Sequence, residues 1–202
     1  HNNLKIESVF SHLAASDEAE HDEFTNKQIE KFTAVANQIT SHFTYPIDRH
    51  LLNTNGIIRF NNAQMEMVRL GIGLYGICTD GLTQQKLLPV STLKSKISQI
   101  KNIPKGDTIG YNRKGKAPHN LKIATIPVGY ADGLSRLLGN RNWNMLVHGK
   151  KAPIVGNVCM DMVMIDITNI NCEEGDEVFV FSSENPIPEM AKTTNMISYE
   201  LL

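Results

Sequence analysis

Tyr111 sits between flexible residues in the run Lys105-Gly106-Asp107-Thr108-Ile109-Gly110-Tyr111-Asn112-Arg113. A phenol ionises near pH 10 when unperturbed, so it works as a base only where nearby cations lower that value. On its own the segment reads as a turn and a short strand ending in a half-buried ring. Two later runs give it weight: Val128-Gly129-Tyr130-Ala131-Asp132-Gly133, and Ile154-Val155-Gly156-Asn157-Val158-Cys159-Met160-Asp161. Met160 is by type more often core than ligand-binding, but its neighbour Asp161 interrupts the apolar stretch, which mildly favours a site at that strand end. In this order the three runs suggest a reacting tyrosine on an all-β domain.

The first half of the chain offers a different chemistry. His12 follows Phe10, Asn53-Thr54 follows Leu52, and Arg69-Leu70-Gly71-Ile72 closes a third apolar segment. In parallel α/β structures, ligand groups collect at such carboxyl ends of strands. Singly, each has a plainer reading: His12 as a hydrogen-bonded core imidazole, Thr54 as a cap on a turn at Asn55-Gly56, Arg69 as half of a structural salt bridge. Jointly, an imidazole, a hydroxyl, an arginine and two exposed backbone amides suit a phosphorylated aromatic cofactor. Gly71 would let the backbone approach a phosphate closely.

The elements that must position these groups follow from periodicity. Residues 6–10 read as a short buried strand. Asp22 and Glu23 start a helix reaching Phe43, with Phe32, Val35, Ala36, Ile39 and Phe43 on one stripe, and Pro46 marks its end. His50-Leu51-Leu52 is a second strand, and residues 67–76 give a third, apolar element with three glycines. That rhythm predicts a parallel α/β unit. From Leu88 onward short β-rich segments alternate with turns, and Val158, Met160, Met162 and Met164 recur at strand period. Helical signal returns only near residues 188–192. The expected organisation is α/β over residues 1–84 and a mostly antiparallel β domain over 85–202.

Composition narrows the function class. A formal net charge of −1 over 202 residues gives no global pull toward nucleic acid or an anionic membrane. Three dispersed cysteines argue against a disulfide framework or zinc ribbon and fit a reducing cytoplasm. No local pattern suggests a metal, and no apolar run approaches the about 20 residues that span a bilayer. The opening His1-Asn2-Asn3 has no methionine and runs straight into a strand-like segment, as an internal start would.

The chain resembles the C-terminal part of bacterial alanine racemases, which depend on pyridoxal 5′-phosphate (PLP). The resemblance covers essentially its whole length. It is carried by the three β-domain runs, by Phe10-Ser11-His12-Leu13-Ala14-Ala15-Ser16-Asp17-Glu18, by His50-Leu51-Leu52-Asn53-Thr54, by residues 67–76 and by Ile197-Ser198-Tyr199-Glu200. It implies the last strands and helices of a (β/α)8 barrel followed by the family's β domain. Thr54, Gly71, Ile72 and Tyr199 would hold the PLP phosphate, His12 would support the ring, and Arg69 would face the pyridine nitrogen, keeping it unprotonated and the electron sink weak. Tyr111 would be the base on one face of the substrate Cα, with the PLP lysine on the other, interconverting L- and D-alanine for cell-wall supply. The Met160 backbone would contact the substrate carboxylate. Tyr111 and Met160 would serve the opposite subunit of a homodimer, and Asp17, His50, Tyr130 and Arg136 would line the entrance corridor.

Departures accompany the resemblance. The PLP-binding lysine, the substrate-carboxylate arginine and the lysine often carbamylated in relatives belong to a segment preceding these residues. Thr54 stands where Ser is usual, Asn55-Gly56 replaces small alanines, and Asn157 replaces a common arginine. The expectation is a racemase parent, in some relatives fused behind a cell-wall ligase, and an inert 202-residue portion whose incomplete barrel exposes apolar surface and favours association or partial disorder in residues 1–80. The rivals are a non-catalytic dimerisation module and a PLP racemase of broader specificity. A decarboxylase of this barrel class is disfavoured by Arg69, and a nucleic-acid-binding β-barrel by the absence of a basic face.

Overall fold

A computed structural model describes residues 3–202; His1 and Asn2 lie outside the described residues. The chain forms two compact units, divided between Val90 and Ser91.

In the first unit, β1 (Ser8–Phe10) and β2 (Asp48–His50) pair in parallel, with Phe10 opposite His50. Between them runs α1 (Asp22–Thr40), which buries Phe32 and Ala36 against Leu13, Leu51 and Leu52. The stripe inferred from sequence is narrower than expected: Val35 is exposed, and the helix stops at Thr40 rather than Phe43. After β2 come α2 (Thr54–Arg59) and, near the end of the unit, α3 (Gly81–Gln84). Asn53, not Thr54, caps α2, accepting from the Gly56 N–H at 2.9 Å.

The expected third strand over residues 67–76 is reduced to one parallel bridge, His50 to Met67, followed by a 3-10 turn over Ile72–Tyr75. The reason lies in where its backbone donors go. Arg69 N–H bonds the Leu52 carbonyl, but the Gly71 and Gly73 N–H groups both turn to the Thr54 hydroxyl, so no ladder continues. Ile6, Phe10, Met67, Leu70 and Leu74 are exposed on this unit, the apolar surface expected of it.

Arg49 on β2 braces the unit. Its backbone N–H, Nε and one terminal nitrogen bond Glu66 at 2.8, 2.9 and 2.6 Å, and the other terminal nitrogen reaches Asn37 on α1. Hydrogen bonding from Arg49 holds the Glu66 carboxyl down to about 2. A depressed carboxylate contributes stability above its unfolded value, about 4.3, that is lost as pH falls through the folded one. The melting-temperature gap between wild type and Glu66→Gln is therefore expected at pH 7 and should close between pH 4.3 and about 2. A gap that persists unchanged at pH 2 would show that the ion pair does not contribute.

The second unit is a seven-stranded antiparallel sheet. Its members are β3 (Leu93–Lys96), β4 (Gln99–Ile103), β7 (Leu121–Ile126), β8 (Asn144–Val147), β9 (Lys150–Val155), β10 (Val163–Asp166) and β11 (Glu177–Phe181), in spatial order β3-β11-β8-β9-β10-β7-β4. The terminal strands β3 and β4 are joined by only Ile97 and Ser98. The three residue steps from Lys96 to Gln99 reach at most about 11 Å, so the sheet must curl until its ends approach. Ile97 N–H bonds Asp176 beside β11 while Ser98 N–H bonds Thr125 on β7, and the Ile97 side chain is buried at the seam. A small hairpin, β5 (Thr108–Ile109) with β6 (Gly115–Lys116), packs Ile109 into a core with Leu121, Ile123, Val155 and Met164. Helix α4 (Ile187–Thr194) extends the weak signal read near residues 188–192.

The strand-period alternation from Val158 to Met164 is a strand only from Val163. Gly156 at φ 73° ends β9, and the Cys159 N–H closes a turn onto the Met162 carbonyl at 2.9 Å, so Met160 and Asp161 lie exposed in a loop instead of at a strand end.

Candidate active site

In the first unit the candidate groups meet where β1 and β2 end. Arg69 is their hub. One terminal nitrogen donates to His50 Nδ1 at 2.6 Å and the His50 carbonyl at 3.2 Å; the other donates to the carbonyls of Ser11 (2.6 Å) and Leu51 (3.2 Å) and to His12 Nδ1 (3.2 Å). A guanidinium only donates, so His50, at 2.6 Å, must present a lone pair at Nδ1, while His12 shares two N–H groups with two carbonyls. Burial, aided by Arg69, pushes the His50 pKa down and keeps that ring neutral, with Nε2 3.3 Å from Ser8 Oγ. His50 also stacks on Phe10 at 5.1 Å, and the Arg69 guanidinium lies 5.3 Å over the same ring. With all terminal N–H groups engaged, the Nε–H of Arg69 is the donor left without a partner among the described residues.

Thr54 is buried, and its oxygen accepts from Gly71 and Gly73 N–H, each at 3.1 Å. A hydroxyl has two acceptor sites and one proton. Both acceptor sites being used, the proton is free only to donate. Of the two backbone amides expected to face an anion, that of Gly71 is spent on Thr54, while Ile72 N–H heads the 3-10 turn, where no bond inside the turn is open to it. A Cβ on Gly73 would stand 2.9 Å from the Thr54 methyl, so the extra methyl at position 54 is accommodated by glycine.

In the second unit, the loop 156–160 gathers two of the sequence motifs. Tyr130 and Ala131 N–H groups bond the Cys159 and Met160 carbonyls at 2.9 Å, an approach only possible because residue 129 is glycine: a Cβ there would lie 2.2 Å from the Met160 oxygen. The Met160 N–H has no acceptor among the described residues. Tyr111 tops the β5–β6 hairpin between Gly110 (φ 75°) and Asn112 (φ 56°). Its side chain is 72% exposed with no hydrogen-bond partner for the phenol among the described residues, and its carbonyl accepts from Asn157 Nδ2 at 3.2 Å.

Residues 90–202 match the family model for the alanine racemase C-terminal domain, and residues 1–79 match that for the N-terminal domain. The chain belongs to the alanine racemase family. Alanine racemase 2 of Caldanaerobacter subterraneus is 38% identical, covering 98% of this chain and 52% of that protein. Among solved structures, alanine racemase of Clostridium difficile 630 in complex with cycloserine aligns with TM-score 0.88 at 33% identity, over 98% of this chain and 53% of that one. The Bartonella henselae alanine racemase with covalently bound pyridoxal phosphate aligns with TM-score 0.85 at 29% identity, over 99% and 54%. The chain thus spans about half the length of the curated relatives it matches.

Of the residues singled out through the alanine racemase motifs, His12, Thr54, Arg69, Gly71 and Ile72 share one end of the first unit. Tyr111, Tyr130 and Met160 attach to one loop of the second. Tyr199 lies in the turn Ser198–Glu200 with its ring half exposed, Arg136 opens an exposed turn, and Asp17 is exposed between β1 and α1. His50 belongs to the Arg69 cluster of the first unit. It is buried, its ring held between Phe10, Ser8 and the guanidinium. Sequence reading also missed the Asn140–Asn157 amide pair, 3.0 Å apart, which no local spacing announces.

Proposed function

We propose that the protein to which these residues belong is a PLP-dependent racemase that interconverts L- and D-alanine. The observation that supports this most directly is the polarity of the first-unit site: an unspent Arg69 Nε–H and, at the same end of the unit, a Thr54 hydroxyl whose proton alone is free. An aromatic nitrogen needs a donor and a phosphate needs donors, so the residues present fit PLP. When bound, PLP would supply the electron sink that acidifies the substrate Cα–H. Arg69 would donate to the ring nitrogen and, having no acceptor, leave it unprotonated. Thr54 and Ile72 N–H would hold the phosphate, and His12 would steady the ring side of Arg69.

Tyr111 would take and return the α-proton at its phenolic oxygen, and the Met160 N–H would bind the substrate carboxylate, both acting in the active site of a second copy of the chain. That arrangement makes the homodimer the working unit. The second base, a lysine in the family, would come from a segment other than these residues. Cytoplasmic location and D-alanine supply to the cell wall complete the reading. No helix among the described residues is long and apolar enough to cross a membrane.

The test is expression of the chain with and without its upstream segment, followed by racemisation of each alanine enantiomer with added PLP. Activity is expected only with the upstream segment. Activity of residues 1–202 alone, or none in either form, would refute the proposal. Thr54→Ala removes the free hydroxyl proton and two acceptor sites. It is expected to weaken PLP retention by about tenfold, the worth of one hydrogen bond to a charged group, read by PLP titration at fixed protein.

A further inference from the structure

Resting on the assignment of Tyr111 as a base, we propose that Asn157 is its positioning residue, fixing the tyrosine through its backbone. The β5–β6 hairpin pairs Thr108 with Lys116 and Ile109 with Gly115, and Ala117 bonds Gly106 and Asp107 at its base, so every backbone bond between its arms lies below the tip. The tip carries left-handed residues on both sides of Tyr111, and the phenol has no partner among the described residues to anchor the ring. Within the hairpin Arg113 Nε bonds Thr108 Oγ1 at 3.2 Å; from outside it the Asn157 side chain reaches the tip, its Nδ2 donating to the Tyr111 carbonyl at 3.2 Å.

Both ends of that amide are used. Its Oδ1 accepts from Asn140 Nδ2 at 3.0 Å, and Asn140 is itself pinned where its N–H bonds the Gly156 carbonyl at 2.8 Å and the Arg141 N–H bonds Ile154 at 2.7 Å. Reversing the Asn157 amide would set oxygen against the Tyr111 carbonyl and N–H against the Asn140 N–H, so the orientation is fixed. The tyrosine turn is thereby tied to the end of β9, the same segment that holds Met160. An aspartate at 157 would still accept from Asn140 but would bring a carboxylate oxygen to the Tyr111 carbonyl with no donor between them. It removes the tether and keeps the rest.

The experiment uses the full-length protein, as Asn157→Asp, Asn157→Ala and Asn140→Ala, with Tyr111→Phe for reference. Amide hydrogen exchange over residues 110–114, without added cofactor, is expected to quicken about fivefold in both Asn157 variants while β7 and β10 stay unchanged. Proton abstraction should fall about tenfold, the worth of one hydrogen bond, from the one alanine enantiomer that Tyr111→Phe affects, with KM little altered. Asn140→Ala should give a smaller loss on the same enantiomer. Unchanged amide exchange in both Asn157 variants, or equal losses from both enantiomers, would overturn the positioning role. If Tyr111→Phe itself spares both enantiomers, the base assignment fails and the positioning role with it, even where residues 110–114 exchange faster.

Discussion

Replacing Tyr111 by Phe in the full-length protein is expected to slow α-proton exchange from one alanine enantiomer by 10²- to 10⁴-fold, the usual contribution of a positioned acid or base. Exchange from the other enantiomer, assigned to the proposed second base, should persist. The substitution keeps the ring and removes only the oxygen. Because that ring is 72% exposed and its phenol bonds nothing among the described residues, the fold should not register the change beyond about 0.5 kcal/mol. Stability and chemistry are thus separable at this position. Measuring exchange in deuterated water from each enantiomer separately decides the matter, since net racemisation needs both bases and falls in both directions. Equal loss from both, with unchanged melting, would remove Tyr111 from the role of a one-sided base.

Gly129→Ala is expected to destabilise the β unit by about 3 kcal/mol, at the upper end of what overpacking costs. Its φ of −144° is open to any residue, so backbone strain plays no part. The cost is steric and falls on groups that cannot rotate away: the Met160 and Cys159 carbonyl oxygens, 2.2 and 2.4 Å from the new Cβ. Relief requires the Tyr130 turn to lift off the loop 156–160, breaking two backbone hydrogen bonds. Urea unfolding would show the lowered midpoint. Gly81→Ala is the control: it meets nothing within 4 Å at the first position of α3, where alanine is expected to be neutral or to add up to about 1 kcal/mol. Comparable midpoints for the two variants would mean that the Gly129 contact is not tight in solution.

Sequence was a good guide to what repeats and a poor one to what reaches. The α1 stripe, the parallel strand pair and the antiparallel character of the second unit all follow from local periodicity, and Phe32 and Ala36 are buried as that periodicity requires. The residues around His12, Thr54 and Arg69 were legible because apolar strands end there in polar groups. Periodicity misled where backbone donors bond elsewhere. Residues 69–73 look like a strand until two glycine N–H groups turn to a threonine, and Val158–Met164 alternates like one although a turn occupies its middle. His50 and Asn157 act through partners 19 and 46 positions away, distances over which a single sequence carries no pattern.

The pairing of β3 with β11 has a consequence for how the chain is made. Lys94 and Glu177, paired at 3.2 Å across those strands, lie 83 positions apart, and β3 has no other neighbour in the sheet order. During synthesis β3 therefore emerges long before the strand that completes it. It must wait, its edge unpaired and the adjoining Ile97 backbone without Asp176 and Gly175 to bond, until Phe181 has left the ribosome. Closure of the second unit is a late event in the life of the nascent chain, and ribosome stalling ahead of β11 would leave an open, sticky intermediate for chaperones to hold.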